Sequence, residues 1–444
     1  MEDRSPSIAS CTYISGCLVS ILVRIIVQFQ TKEDLATFAG KHPAPDENVI
    51  PEKGFEIRIT RQLALAPIAI VDMIADDLPR EMLDNEFPDG VGIMFKEPDV
   101  DFFLSATSAN NVLGMDSINA SIYGPFQGDG IAVAVVDGGI DATHPDLHRT
   151  TITRTTFIHD GSKIDAGHGT AMAGIICGSG AMSKGHFKGI TRNVTLLDCV
   201  AFDASGHGML ADVLAAIDGA VLQGVKIFCL PFNSRPGREP SPIFEYYLDT
   251  LVKDHDIIFC CGSGNLGPIQ GTIGMPGCYP CVITTGSTSL SFIVSRFSGR
   301  GMLGGKESKP DFCLPGEQAV SLNHENSRFK DAVLDANEYY AMFSGNSVSV
   351  AILTSLVVAI RSARPDATPA AIKQLLKASC VKIRKSAPIS SGMGLVSPAL
   401  VFTNMNKLYA RSKGFTAIVR DAVSTTVVLF FFAIAMGLMI ASFL

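Results

Sequence analysis

The sequence predicts an α/β fold built on a mostly parallel, doubly wound sheet, and three observations carry that prediction. First, short unbroken apolar runs recur from about residue 125: IAVAVV (131–136), VTLLDCVAF (194–202), VKIFCLPF (225–232), DIIFCC (256–261) and CVITTGS (281–287). Runs of this length without in–out alternation suit strands buried on both faces, as parallel strands are. Second, helical patterns lie between them, at 168–178, 209–224 and 243–254, and strand alternating with helix marks such a sheet. Third, the chain has 444 residues, 47% of them hydrophobic and 18% charged, which allows a large core and excludes wholesale disorder.

Taken in order, residues 1–49 read as an N-terminal extension, with 11–29 a weak signal, an anchor or an amphipathic helix. Ile14–Val23 is apolar, but Arg24 interrupts it, and Glu2 and Asp3 stand where a secretory signal wants positive charge. Residues 50–105 carry strand-like runs at FEIRIT and VGIMFKEPDVDFFL, and the strand–helix alternation begins at about residue 125. Within it, 347–360 is apolar all round, the pattern of a helix inside a large domain. Thr368 and Pro369 form a good helix start for 368–380. Residues 403–421 read as a linker. The 23 residues from Ala422 to Leu444 carry no charge. As a helix they would be about 35 Å long, enough for a single pass through the roughly 30 Å hydrocarbon core. Lys407, Arg411, Lys413 and Arg420 precede them and favour a cytosolic position for everything upstream, whereas a GPI-attachment signal is the other reading of such a tail. The side of the membrane therefore stays open.

The 36 basic and 43 acidic residues give a net charge of −7, with no electrostatic footprint for nucleic acid, and that class of partner is excluded. Of the eleven cysteines, Cys199, Cys229, Cys260 and Cys261 sit in apolar runs and read as buried free thiols. Cys278 and Cys281 form a CxxC without a second pair, which argues against zinc.

In open α/β sheets the reactive groups gather at the carboxyl ends of the strands. Four segments stand out there: VAVVDGGIDATHPDL with Asp137 at a strand end, DAGHGTAMAG with His168 opening a helix, CCGSGNLGP with Asn265 in a glycine-rich turn, and FSGNSVSVA with Ser347 starting the apolar helix. Together, in this order, they resemble the subtilisin-like serine proteases (subtilases, peptidase family S8). FKGITRNVTLLDCVAFDASGHG, MPGCYPCVITTGSTS and GMGLVSPALV extend the likeness over about 110–402. The resemblance implies a three-layer subtilisin-like fold around a central, mostly parallel sheet. It implies a serine endopeptidase acting on protein or peptide substrates, with Asp137, His168 and Ser347 as the catalytic triad and Asn265 in the oxyanion hole. It also gives 50–105 a reading as an inhibitory propeptide.

The residue types fit that chemistry. A serine hydroxyl is a poor nucleophile until a base takes its proton; His168 would be that base, Asp137 would fix its tautomer, and Asn265 would meet the oxyanion. Three departures bear on the expectation. The nucleophile motif reads Gly345-Asn346-Ser347-Val348-Ser349-Val350-Ala351, with Asn346 for the usual Thr and no Pro. In the groove segment Cys229-Leu230-Pro231-Phe232, Pro231 lacks an N–H and Phe232 is expected to fill the pocket for the substrate residue before the scissile bond, which predicts narrow specificity or a small residue there. Subtilases often bind calcium, and Asp141 matches one acidic position, but GSGAMSKGHFKG lacks suitable ligands, so no metal or other cofactor is assigned. The alternative expectation is a pseudoprotease that keeps the fold as a peptide-binding or regulatory module. A nucleotide-binding domain is disfavoured because no GxGxxG follows a strand.

Overall fold

The protein's structure, a computed structural model, describes residues 21–41, 56–75, 91–96, 102–103, 128–158, 162–235, 240–301, 309–324, 332–334 and 337–405. The membrane span expected at 422–444, and the linker before it from residue 406, lie outside the described residues.

The chain opens with β1 (Ile21–Phe29), α1 (Lys32–Lys41), β2 (Glu56–Gln62), β3 (Ile68–Ala75) and β4 (Val91–Lys96). These strands form an antiparallel sheet in the order β2-β3-β1-β4. From Ile21 onward, the stretch read as a signal, anchor or amphipathic helix is therefore a central strand. The physical reason is burial on both faces. Ile25, Val27 and Phe29 pack with Leu35 and Phe38 of α1, while Ile26 packs with Leu63, Ala66 and Ile68 against the larger unit. A strand covered on both sides is apolar at successive positions and loses its period-2 signature.

A short strand, β5 (Phe102–Phe103), leads to the larger unit. That unit contains β6 (Ala132–Asp137), β7 (Ile152–Thr156), α2 (Gly167–Cys177), β8 (Thr195–Val200), β9 (His207–Gly208), α3 (Leu210–Leu222) and β10 (Ile227–Leu230). There follow β11 (Asn233–Ser234), α4 (Pro242–His255), β12 (Ile258–Gly262), β13 (Ile283–Thr288), β14 (Phe312–Pro315), β15 (Ala319–Leu322), β16 (Ala332–Leu334) and β17 (Asn337–Phe343). Then come α5 (Asn346–Ala363), α6 (Pro369–Ala378), β18 (Cys380–Val381), α7 (Pro388–Ser391) and β19 (Leu395–Val396). The central sheet runs β18-β19-β14-β13-β12-β10-β6-β8-β7, parallel except where β18 meets β19.

Three layers follow from strand parity. Val133, Val135, Ile227, Cys229, Ile258 and Cys260 turn to one face, where α2, α5 and α6 pack. Ala134, Val136, Phe228, Leu230, Phe259 and Cys261 turn to the other, under α3 and α4. From residue 131 on, every apolar run read as a strand is one, and the helical patterns at 168–178, 209–224 and 243–254 are helices within a residue or two. Asn346–Ala363 is long and apolar enough to cross a membrane by length and composition, but it is buried inside this core.

Candidate active site

Asp137 is the last residue of β6, at the carboxyl edge of the sheet, and is fully buried. Its Oδ2 lies 2.7 Å from His168 Nδ1, and its Oδ1 accepts the Gly138 N–H at 2.7 Å. His168 is buried at the start of α2. That helix seats close to the Asp137 loop because residue 169 is glycine: a Cβ there would stand 2.3 Å from the Gly139 carbonyl oxygen. The loop after Asp137 is braced from β7 and β8. Arg154 Nε donates to Asp198 Oδ2 at 2.6 Å, and the Ile140 N–H donates to the same oxygen at 3.0 Å. The Arg154 guanidinium also donates to the Ile140 carbonyl, so both polar ends of residue 140 are held. Burial pushes the Asp198 carboxyl group above the usual range, against the opposing pull of Arg154.

Ser347 stands in the first turn of α5, and its hydroxyl donates to the Pro231 carbonyl at 2.9 Å. Pro231 follows β10, whose register places Ile227 opposite Val133 and Cys229 opposite Val135 of β6. Counting two residues on brings Pro231 level with Asp137 across neighbouring parallel strands, which lie about 4.8 Å apart. Asn265 lies just past β12, and its Oδ1 accepts the Asn346 N–H at 2.7 Å, which ties it to the N-terminus of the Ser347 helix. The structure thus joins Asp137 to His168 directly and Asn265 to the helix of Ser347. The Ser347 hydroxyl goes to the strand beside Asp137.

Asn346, a departure from the usual motif, has a role in this joint. Its Oδ1 accepts the Ser263 N–H at 2.8 Å, and its Nδ2 donates to Ser263 Oγ at 3.1 Å. Gly262 makes room for it, since a Cβ there would come within 2.2 Å of Asn346 Oδ1.

The groove departs from expectation. Phe232 does not fill a substrate pocket. It is buried in the core under α3 and α4 and packs on Phe202 with ring centroids 4.9 Å apart. Strand parity turns the next residue the opposite way, and Asn233 donates through Nδ2 to the Gly262 carbonyl at 2.9 Å and the Gly274 carbonyl at 3.4 Å. β5 lies between β9 and β11 as the middle strand of a small antiparallel sheet, with Phe103 opposite Asn233 and His207, and Phe102 opposite Ser234 and Gly208. The groove edge therefore already holds an extended segment of the same chain. The N-terminal sheet docks nearby: the Asp218 carboxylate on α3 accepts the Ala64 N–H at 2.9 Å, the Leu65 N–H at 3.3 Å and the Tyr247 hydroxyl at 3.1 Å. Neither Asn233 nor Asp218 belongs to the motifs that drew attention in the sequence.

Asp141 is engaged by the Thr143 N–H and hydroxyl. The neighbouring buried carboxylate, Asp146, takes the Gly180 N–H at 3.0 Å, the Met182 N–H at 3.0 Å and the Tyr340 hydroxyl at 2.5 Å. A calcium ion needs oxygen ligands, and here proton donors face both oxygens of the Asp146 carboxylate. Among the described residues, no cluster of three or more His, Cys, Asp or Glu side chains could hold a metal ion. The described cysteines are free, and burial raises the thiols of Cys199 and Cys260 to about 12, which makes them inert.

Comparison with known proteins agrees with this architecture. The model of the subtilase family, Peptidase_S8, matches residues 128–404. The chain is 31% identical over 300 residues to serine protease AprX of Bacillus subtilis; the match covers 61% of this chain and 65% of AprX, just under two-thirds of that relative's length. It is 24% identical over 372 residues to subtilisin E of Bacillus subtilis, covering 81% of this chain and 87% of subtilisin E. In fold it is similar to fervidolysin of Fervidobacterium pennivorans, a keratinolytic enzyme related to subtilisin, with a TM-score of 0.65 at 17% identity over 88% of this chain and 62% of that one. With the family model spanning more than half of the sequence, the chain belongs to the subtilases, family S8 of the serine-type endopeptidases.

Proposed function

We propose that the chain hydrolyses peptide bonds through an acyl-enzyme on Ser347. The observation that carries this reading is the buried Asp137–His168 hydrogen bond of 2.7 Å at the carboxyl edge of the sheet, one strand away from the carbonyl that receives the Ser347 hydroxyl. Asp137 holds Nδ1–H of the imidazole, which leaves Nε2 as the base. In the resting chain the Ser347 hydroxyl is parked on the Pro231 carbonyl. A peptide paired along the groove presents a backbone N–H that can take that carbonyl, and the hydroxyl then turns to His168. Attack on the substrate carbonyl transfers the Ser347 proton to His168, which passes it to the leaving amine. Water then attacks the ester, again with His168 as base, and restores the serine.

The oxyanion is met by the Ser347 N–H, at the positive end of α5, and by the Asn265 carboxamide, whose carbonyl end is held by Asn346. Loss of such an asparagine donor, measured on subtilisin, costs about 10²–10³ in rate.

Two finer elements belong to the same proposal. Residues 50–105 act as an inhibitory propeptide: β5 pairs with β11, and Asp218 accepts the Ala64 and Leu65 N–H groups between β2 and β3. The uncharged stretch 422–444 anchors the protein to a membrane. Reaction with a fluorophosphonate probe tests the catalytic part, with adduct on Ser347 expected and none in Ser347→Ala. Processed, folded protein that fails to react would be a pseudoprotease.

A further inference from the structure

In the groove, the space between Gly264 and Gly277 forms a slot that one side chain fills. β10 and β12 are paired side by side through Leu230 opposite Cys261, and the chain segments that follow them frame the slot. Gly264 and Gly277 face it, and Gly262 and Gly274 offer it their backbone carbonyls. Where walls carry no side chains, the side chain that reaches in sets the size. Here it is Asn233, 8% exposed. Its two hydrogen bonds, to the Gly262 and Gly274 carbonyls, stretch the carboxamide across the slot. Its Cγ and Oδ1 stand 3.4 Å from where a Cβ on Gly264 would be, and its Nδ2 stands 3.3 Å from the same point on Gly277. The carboxamide is thus in ordinary to tight contact with both walls.

The pairing of β5 with β11 supplies the register of a bound peptide. The residue opposite Asn233 is Phe103, and the strands are antiparallel. A peptide in this register has the residue two places further on opposite Pro231, whose carbonyl receives the Ser347 hydroxyl. Its carbonyl carbon is therefore the one nearest the nucleophile, and the slot crossed by Asn233 is next to its side chain. Counted along this chain that residue is Ser105, followed by Ala106 and Thr107, all small.

We infer that Asn233 restricts the residue before the scissile bond to small side chains, glycine, alanine or serine, and that the chain's own processing cut follows Ser105. This rests on the peptidase reading of Ser347 and deepens it by naming the substrate class. A larger side chain has to displace a carboxamide that holds two hydrogen bonds, so discrimination of at least about tenfold is expected, within the range that one pocket contact supplies.

The test uses the full chain. The N-terminus of the processed protein is mapped by mass spectrometry, and peptides that differ at the position before the cut are assayed in parallel with fluorophosphonate labelling. The wild type is expected to begin at Ala106 and to cleave after alanine or serine at least tenfold faster than after phenylalanine or leucine. Asn233→Gly opens the slot and should raise cleavage after phenylalanine at least tenfold relative to alanine; Asn233→Ser, which keeps a polar group but shortens it, should shift the profile in the same direction. Ser105→Phe should block processing in the wild type and recover it when combined with Asn233→Gly. Labelled wild type that cuts equally well after phenylalanine and alanine, or an Asn233→Gly profile that does not move, overturns the inference and leaves the serine chemistry standing. Folded, processed protein without labelling removes both together.

Discussion

Substituting Asn346 by alanine tests how the nucleophile's helix is held to the oxyanion asparagine. The side chain is 2% exposed and bridges to the N–H and hydroxyl of Ser263, itself fully buried. The Ser263 N–H also donates to the Thr285 carbonyl at 2.9 Å, so alanine removes one of its two acceptors without orphaning it, a loss of roughly 0.5–1.5 kcal/mol. The Ser263 hydroxyl keeps its contact with Ser298 Oγ at 3.2 Å, so the second bond adds little. A net loss of about 1 kcal/mol in a domain of this size lowers Tm by roughly 2–4 °C. The functional effect comes through geometry. The Asn346 N–H that positions Asn265 sits on the same residue, and Ser347 is the next one. Once the helix end is released from Ser263, both shift relative to the reacting carbonyl, and displacements of an ångström cost up to about 10² in rate. The assay is the second-order rate of fluorophosphonate labelling beside a thermal melt. We expect labelling slowed about 10- to 100-fold. Asn346→Thr should fall in between, since a shorter hydroxyl reaches one of the two Ser263 groups. An alanine variant that melts and labels like the wild type would refute the role given to this residue.

Two further predictions concern the flanking regions. Asp218→Ala, made in a Ser347→Ala chain so that no processing intervenes, removes the carboxylate that accepts the Ala64 and Leu65 N–H groups. Hydrogen bonds to a charged group contribute about 1.5–3 kcal/mol each, so limited proteolysis of the N-terminal unit should accelerate at least tenfold, and an unchanged rate would contradict the docking account. For the C-terminal stretch, the full-length protein should resist alkaline carbonate extraction and become extractable when 422–444 is deleted; extraction of the intact chain would contradict the anchor.

The sequence made much of this architecture readable, and the misses have physical causes. The central strands were legible because each is buried on two faces and reads as an unbroken apolar run, Ala132–Asp137 most clearly. The same two-sided burial hid β1, where Ile25, Ile26 and Val27 mimic a signal or anchor and the partners that cover Ile26 lie far along the chain. The residues proposed for the site, Asp137, His168, Asn265 and Ser347, stand out in the sequence through their local motifs. The groove was not, because orientation there turns on a single step of strand parity: Phe232 points into the core and Asn233 into the slot. Parity counted from Leu230, a core residue, would have assigned Phe232 and Asn233 correctly. Asn346 looked like a defect since its partner, Ser263, is 83 residues away in sequence. The Arg154–Asp198 brace and the Asp218 anchor are tertiary in the same way and leave no local trace.

The most direct measurement is site-mapped fluorophosphonate labelling of the processed chain, compared with its Ser347→Ala and His168→Ala variants across pH. The account predicts a single adduct on Ser347, absent from the first variant and slowed by orders of magnitude in the second. An adduct on another residue, or labelling that does not depend on His168, would contradict it.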